Sequence, residues 1–165
     1  MPELPEVETI KGQLNKKVRD KKIKAVEIKL AKMLVGVTAD KFQKIVEGRK
    51  IKSVDRRAKL LIINLSNNYS LVIHLKLTGQ LLFFKKIQAW EAHKNKSAAH
   101  LIYYFENGSL LIHTDVRKFG YVKLVKTAEL ESLFRKESFG PEPLAQDFTL
   151  KKFKNLLIQK PRDVA

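Results

Sequence analysis

Between residues 50 and 125 the chain reads as almost unbroken β-structure, and no other feature restricts its fold so tightly. Short apolar runs lie at 51–56, 59–65, 70–75, 79–84, 101–105, 110–114 and 121–125. Each has the length of a strand, and turn residues separate them. Asn67-Asn68 and Asn107-Gly108 fall between apolar runs as hairpin turns. The second is the stronger signal, because both positions tolerate positive φ. Ahead of this block, Leu4, Val7, Ile10 and Leu14 recur at three- and four-residue steps, which predicts a one-sided helix over 3–17 with Pro5 in its first turn. A strand is predicted at 23–30 and a short helix at 40–47, closed by Gly48. Helices at 128–136, with Thr127 as N-cap, and at 150–158 follow the strands. The predicted fold is mainly β with flanking α-helices: a two-sheet antiparallel β-sandwich or flattened barrel carrying an N-terminal helix.

Composition narrows what such a fold does. The 165 residues fit one domain, and 44% hydrophobic residues supply a core without staples. There is no cysteine, which excludes a disulfide framework, a thiolate zinc finger and a cysteine nucleophile. No apolar run approaches the roughly 18 residues of a membrane span, and the start is acidic rather than signal-like. The expectation is a cytoplasmic protein with no membrane partner. Thirty-three Lys and Arg against 17 Asp and Glu leave a net charge of +16. That excess implies a polyanionic partner, nucleic acid before an anionic membrane surface, with a generally basic protein as the plain alternative. Lys11–Lys24 holds seven basic residues against Asp20, and Lys41–Lys59 eight against Glu47 and Asp55. Glu3, Glu6 and Glu8 gather instead at the N-terminus.

Pro2 is the first chemical candidate. Met-Pro favours loss of the initiator methionine, which leaves a secondary amine at the chain start. An α-amine titrates near 7.7–8.0, so a useful fraction is neutral near pH 7 and can attack an electrophilic sugar carbon to form an iminium. While Met1 stays attached, the Pro2 nitrogen is an amide and cannot do so. Glu3 and Glu6 stand beside it as possible proton donors. Acids in a first turn also simply suit the helix dipole, and spacing alone favours that reading.

The string Met1-Pro2-Glu3-Leu4-Pro5-Glu6-Val7-Glu8-Thr9 resembles the start of the formamidopyrimidine-DNA glycosylases, bacterial base-excision repair enzymes for oxidised purines. Later stretches resemble that family in order: Arg56-Arg57-Ala58-Lys59-Leu60-Leu61, then His74-Leu75-Lys76-Leu77-Thr78-Gly79, then Thr114-Asp115-Val116-Arg117-Lys118-Phe119-Gly120, then Phe139-Gly140-Pro141-Glu142-Pro143-Leu144. The Leu-Pro-Glu-Val start is closer to this family than to its endonuclease VIII relatives.

The resemblance implies roles. Pro2 would be the Schiff-base nucleophile, Glu3 the general acid for loss of the base, and Lys59 the group that assists β-elimination and holds a phosphate. Glu6 and His74 would contact DNA; for His74 a satisfied core histidine is the competing reading. Leu77, Arg117 and Phe119 would fill the void left by a flipped nucleotide, with Arg117 on the orphaned base, and Lys118 would reach a phosphate. Core packing is the rival account of Leu77 and Phe119. Lys160 falls where the family has a DNA-contacting lysine. Leu77 replaces a usual Met, Lys118 a usual Arg, and Ala98 a usual His. His93, His100 and His113 have no metal spacing and read as solvated or structural.

Residues 1–160 are thus expected to be the N-terminal catalytic domain, and 161–165 the cut start of a helix–two-turn–helix region. The four-cysteine zinc finger that the resemblance implies beyond it would carry the zinc; no cofactor is expected in this chain. The expected partner is double-stranded DNA containing oxidised purines or abasic sites, bound by a monomer. Without the further domains, weak binding and slow turnover are expected. The alternatives are a non-catalytic basic DNA-binding module of the same fold, or an endonuclease VIII-like glycosylase for oxidised pyrimidines.

Overall fold

The computed structural model describes residues 2–94 and 96–159. In chain order the elements are α1 (Leu4–Val18), β1 (Ile23–Ile28), β2 (Leu34–Val35), α2 (Ala39–Val46), β3 (Ile51–Arg57), β4 (Leu60–Leu65), β5 (Tyr69–His74), β6 (Gly79–Phe84), α3 (Ile87–Glu91), β7 (Ala99–Phe105), β8 (Leu110–Asp115), β9 (Tyr121–Lys126), α4 (Leu130–Lys136) and α5 (Leu150–Gln159). The strands form two sheets, ordered β1-β7-β8-β6 and β2-β9-β5-β4-β3. All pairings are antiparallel except the short β2–β9 pair. Two short elements, β2 and α3, carry too few residues for a periodic signal, and the sequence predicts neither. The parallel β2–β9 pair is likewise a departure from the all-antiparallel expectation.

The main core lies between the sheets. Leu61, Ile63, Leu71, Ile73 and Val122 face Leu101, Tyr103 and Leu111 across it, while Val7, Leu14 and Val18 of α1 and Phe42 and Val46 of α2 close its open sides. The outer faces are also covered. Trp90 of α3 packs against Ile102, Leu110 and Ile112, and Phe134 of α4 packs against Leu60, Ile62 and Val72. That is why β4 reads as a nearly continuous apolar run rather than an alternating one: both of its faces are buried, as are those of β8, whose second half carries the buried polar residues His113, Thr114 and Asp115.

Local signals differ in detail from expectation. Of the predicted stripe on α1, Val7 and Leu14 are buried, whereas Leu4 and Ile10 stay partly exposed and Val18 replaces them in the core. The helix docks on β3, where the Asn15 side-chain oxygen accepts from the Val54 N–H at 2.8 Å. Only Gly108 of the Asn107-Gly108 turn has positive φ (80°). Gly108 N–H donates to the Phe105 carbonyl and Asn107 caps Ser109, so the hairpin is a longer turn with a left-handed glycine at its end. Thr127 is not the cap of α4. It opens a 3₁₀ turn, and its hydroxyl pairs instead with buried Ser70 at 2.9 Å. Predicted Lys160 and the 161–165 segment lie outside the described residues.

Phe42 has no exposed surface and fills the gap between α2 and Tyr103, with ring centroids 6.5 Å apart. Phe42→Ala is expected to lower the unfolding free energy by about 3–5 kcal/mol, read as a shift in urea midpoint at constant slope. Val35→Ala, on exposed surface, is expected to change it by less than about 0.5 kcal/mol.

Candidate active site

The start of α1 is closed by two reciprocal bonds: the Glu3 side chain accepts from the Glu6 N–H, and the Glu6 carboxylate accepts from the Glu3 N–H. This capping box fixes the direction in which residue 2 leaves the helix. Pro2 and Glu6, with Ile10, then line one wall of a cleft of about 500 Å³. Leu77, Thr78 and the first four residues of β6, 79–82, line the other wall. Glu3 turns away from that cleft toward the β3–β4 turn, where its Oε2 lies 2.6 Å from Lys59 Nζ. Lys59 lines a neighbouring cavity of about 280 Å³ with His74, Lys76 and Tyr121.

His74 is half-buried, and its ring leans on Tyr121 with centroids 5.6 Å apart. Its Nδ1 accepts from the Lys76 N–H at 3.0 Å. Burial first, then the charges of Lys76 and Lys59, push its pKa below the usual histidine value. An Nδ1 that accepts carries no proton, so the ring proton lies on Nε2, in the cavity that Lys59 also lines. Both readings of His74 have a share in this: it is packed, yet one edge remains free to meet an oxyanion.

Leu77, Arg117 and Phe119 sit on two adjacent loops. Leu77 is 40% and Phe119 54% exposed, and the Arg117 guanidinium lies 5.0 Å from the Phe119 ring centre. None of the three is core, so the packing account fails for Leu77 and Phe119. The loops are joined by Asp115. Its carboxylate, fully buried, accepts from the Thr78 hydroxyl, from Gly120 N–H at 2.7 Å and from Arg117 N–H at 3.1 Å. Burial pushes this carboxyl up, but the Thr78 hydroxyl and the backbone N–H groups outweigh it and hold it below the ordinary value. Two glycines allow the loops to meet. A Cβ on Gly79 would strike the Leu75 carbonyl oxygen and come within 2.9 Å of the Leu75 Cα. One on Gly120 would stand 3.0 Å from Asp115 Oδ2 and 3.1 Å from the His74 carbonyl.

A second cluster supports Lys59. Arg56, with a side chain only 5% exposed, donates to Glu8 of α1 at 2.7 Å and to Glu142 at 2.6 Å. Glu142 also accepts from Arg57 at 2.8 Å and from the Ala58 N–H at 2.5 Å. Burial raises the Glu142 carboxyl, but hydrogen bonds from Arg56, Ala58 and Arg57 prevail and bring it down to about 2. The sequence motifs contain Arg56, Asp115 and Glu142, but spacing gives them no role, since only the fold brings positions 8, 56 and 142 together. Below the Asp115 loop, His100 Nε2 donates to the Asp115 carbonyl at 2.7 Å. His113 beside it is fully buried, with no partner for either ring nitrogen among the described residues. Burial drives its pKa down to about 4. Both are structural, and His93 packs between Phe84 and Trp90. No group of three metal-ligating side chains occurs among the described residues, and the chain has no thiolate to hold a four-cysteine zinc.

A mainly antiparallel two-sheet fold with an N-terminal proline, a carboxylate–lysine pair and two exposed wedge loops matches the N-terminal domain of a class of DNA glycosylases. A sequence profile of the formamidopyrimidine-DNA glycosylase N-terminal domain matches residues 1–122. The formamidopyrimidine-DNA glycosylase of Heliobacterium modesticaldum is 36% identical over 160 residues, 97% of this chain and 57% of that protein. That of Streptococcus mutans is 40% identical over 153 residues, 93% of this chain and 54% of the relative. The crystal structure of the Lactococcus lactis enzyme, non-covalently bound to DNA containing an abasic site, superposes with a TM-score of 0.83 at 32% identity, covering 96% of this chain and 58% of that one. The chain belongs to the formamidopyrimidine-DNA glycosylase family, and it spans a little over half the length of these relatives.

Two outcomes test the site's construction. Gly79→Ala is expected to displace the 74–79 turn and cost about 1–3 kcal/mol of stability, visible as a lowered Tm. For His113, the unfolded ring titrates near 6.5 and the buried one near 4, so the unfolded chain takes up the proton first. Stability is therefore highest above pH 6.5 and falls by about 3 kcal/mol as pH drops toward 4. His113→Leu is expected to flatten that part of a pH–stability profile, while the decline from pH 4.5 toward 2 owed to Glu142 remains.

Proposed function

We propose that this chain is the catalytic domain of a base-excision repair DNA glycosylase with abasic-site lyase activity, acting on oxidised purines such as formamidopyrimidines and 8-oxoguanine. The observation that carries the reading is the 2.6 Å contact between the Glu3 carboxylate and the Lys59 ammonium, set between the cleft lined by Pro2 and the cavity lined by His74. Once Met1 is removed, the Pro2 secondary amine attacks the anomeric carbon of the damaged nucleotide. The carbon–base bond breaks as the carbon–nitrogen bond forms; the Glu3 carboxylate takes the proton released by the attacking amine and passes it to the departing base, and the nitrogen lone pair then opens the C1′–O4′ bond, the ring oxygen taking a proton from solvent, to leave a ring-opened iminium. Loss of a proton from the adjacent sugar carbon then expels the 3′-phosphate, a β-elimination that nicks the strand. The Lys59 ammonium and the Nε2–H of His74 hold phosphate oxygens through this step.

Access to the sugar requires a flipped nucleotide. Leu77 and Phe119 are the apolar groups offered to the vacated stack, and Arg117, stacked on Phe119, is positioned to donate to the unpaired partner base. Lys118 offers a point charge to the backbone, and Glu6 bounds the cleft beside Pro2. On this reading the partner is double-stranded DNA, bound by a monomer in the cytoplasm of a bacterium. No helix among the described residues is long and apolar enough to cross a membrane. On this reading the 165-residue chain holds DNA chiefly through phosphate contacts, weakly and with strong salt dependence.

Borohydride reduction on abasic-site DNA tests the nucleophile. A covalent adduct is expected from chain with a free Pro2 amine and none from chain that retains Met1; equal adducts from both overturn the reading. Glu3→Gln is expected to slow excision from an oxidised-purine duplex by roughly 10²–10⁴-fold while still forming the adduct on a preformed abasic site. Faster incision of a thymine-glycol duplex than of an oxidised-guanine duplex would move the substrate class to oxidised pyrimidines.

A further inference from the structure

The cleft beside Pro2 does not end there. Ile10 and Leu81 are shared with a narrow stretch of about 70 Å³ that also includes Gln13, Lys17 and Phe83. Lys17 and Phe83 are shared in turn with a hollow of about 440 Å³ lined by Lys16, Lys17, Lys21, Phe83, Lys85, Asn107 and Ser109. A continuous groove therefore runs between α1 and β6 for nearly the whole helix, about 20 Å at 1.5 Å per residue.

The far end of this groove is strongly cationic. Four lysines and no carboxylate line it. Lys16, Lys17 and Lys85 are exposed and make no ion pair among the described residues, and Lys21 lies 5.7 Å from the Phe83 ring centre. Acids begin only in the adjoining hollow, where Lys22 pairs with Glu106 at 2.7 Å and Arg19 approaches Asp20 at 3.8 Å. The negative end of the α1 dipole accounts for Lys16 and Lys17. It does not account for Lys21, which follows the helix, or for Lys85, which comes from the end of β6. Four like charges round one hollow repel one another, and that cost is relieved by an anion placed between them.

We infer that the α1–β6 groove is a second nucleic-acid site, in which Lys16, Lys17, Lys21 and Lys85 hold the phosphodiester backbone of a single strand. A groove bounded by one helix and its neighbouring strand is too narrow for a duplex. Its apolar floor of Ile10, Leu81 and Phe83 suits unstacked bases, and its cationic end suits their phosphates. The site reads no sequence. It holds a strand that leaves the Pro2 cleft along α1, and so lengthens the DNA footprint of the chain. This rests on the DNA-binding reading above but involves none of the residues assigned to the chemistry.

The test uses the full 165-residue chain and fluorescein-labelled oligo(dT), followed by anisotropy over a salt series. Each phosphate contact contributes about 0.7 to the slope of log K against log salt on single strands. Lys17→Gln/Lys21→Gln/Lys85→Gln is expected to reduce that slope by about 2. Lys85→Glu alone, at an exposed position, is expected to weaken binding in the same direction with an unchanged melting temperature. Unchanged slopes, no oligo(dT) binding by the unaltered chain, or a loss confined to duplex DNA each overturn the proposal. The borohydride adduct on a short, saturating abasic duplex is expected to be the same for the triple variant and the unaltered chain. Absence of that adduct from both sinks the glycosylase reading and leaves the salt slopes to decide the groove.

Discussion

The buried carboxylate of Asp115 holds the two exposed loops of the candidate site together. It sits under two loops that are far apart in sequence and satisfies donors from both: a hydroxyl from the 74–79 turn and backbone N–H groups from 116–120. An ionised carboxylate in such a place is tolerable only because these donors repay its lost hydration. The same bonds keep Leu77, Arg117 and Phe119 adjacent although all three side chains stand in solvent. Exposed apolar wedges have no packing to orient them, so their aim has to come from the backbone beneath. Gly79 and Gly120 belong to this arrangement, because each lies where a Cβ would press on the turn that Asp115 closes.

The Glu3–Lys59 pair is held by a comparable device. Arg56 bridges Glu8 on α1 and Glu142 on the segment after α4, and Glu142 reaches back to Arg57 and Ala58. This fixes the turn that carries Lys59 against the helix that carries Glu3. Each of the three motif turns also contains a non-glycine residue with left-handed backbone: Ala58 (φ 49°), Lys76 (φ 54°) and Lys118 (φ 58°). Such conformations cost about 1–2 kcal/mol each for residues with a Cβ. They persist because the carboxylates Glu142 and Asp115, and the ring nitrogen of His74, accept from backbone N–H groups in these turns. Backbone strain and buried charge are thus concentrated in the turns that build the candidate site.

Much of this was legible in the sequence. The strand runs marked the sheets, because strands buried on both faces are mostly apolar, and the 3.6-residue stripe marked α1. The motif strings named Pro2, Glu3, Lys59, Leu77, Arg117 and Phe119, and the structure brings the first three to one end of α1. What was not legible depended on contacts distant in sequence. Nothing local marks Arg56 as buried, since an arginine in a basic stretch reads as solvated. Thr127 looks like a helix cap until the fold offers it Ser70 as a better partner. The parallel β2–β9 pair is two residues long, below the reach of any periodicity.

The distribution of charge follows from these constraints. With an excess of +16, the chain attracts any polyanion over most of its surface, and attraction alone specifies nothing. Selection arises where acids interrupt the field. Glu3, Glu6 and Glu8 stand at the start of α1, and each is occupied: Glu3 by Lys59, Glu6 by the Glu3 backbone, Glu8 by Arg56 and Lys11. Each is thus held by a donor, so the acidic start of α1 repels an approaching anion less than three free carboxylates would. On the proposed reading the basic face draws a strand in, and the paired acids at its edge stand beside Pro2, where the chemistry would occur.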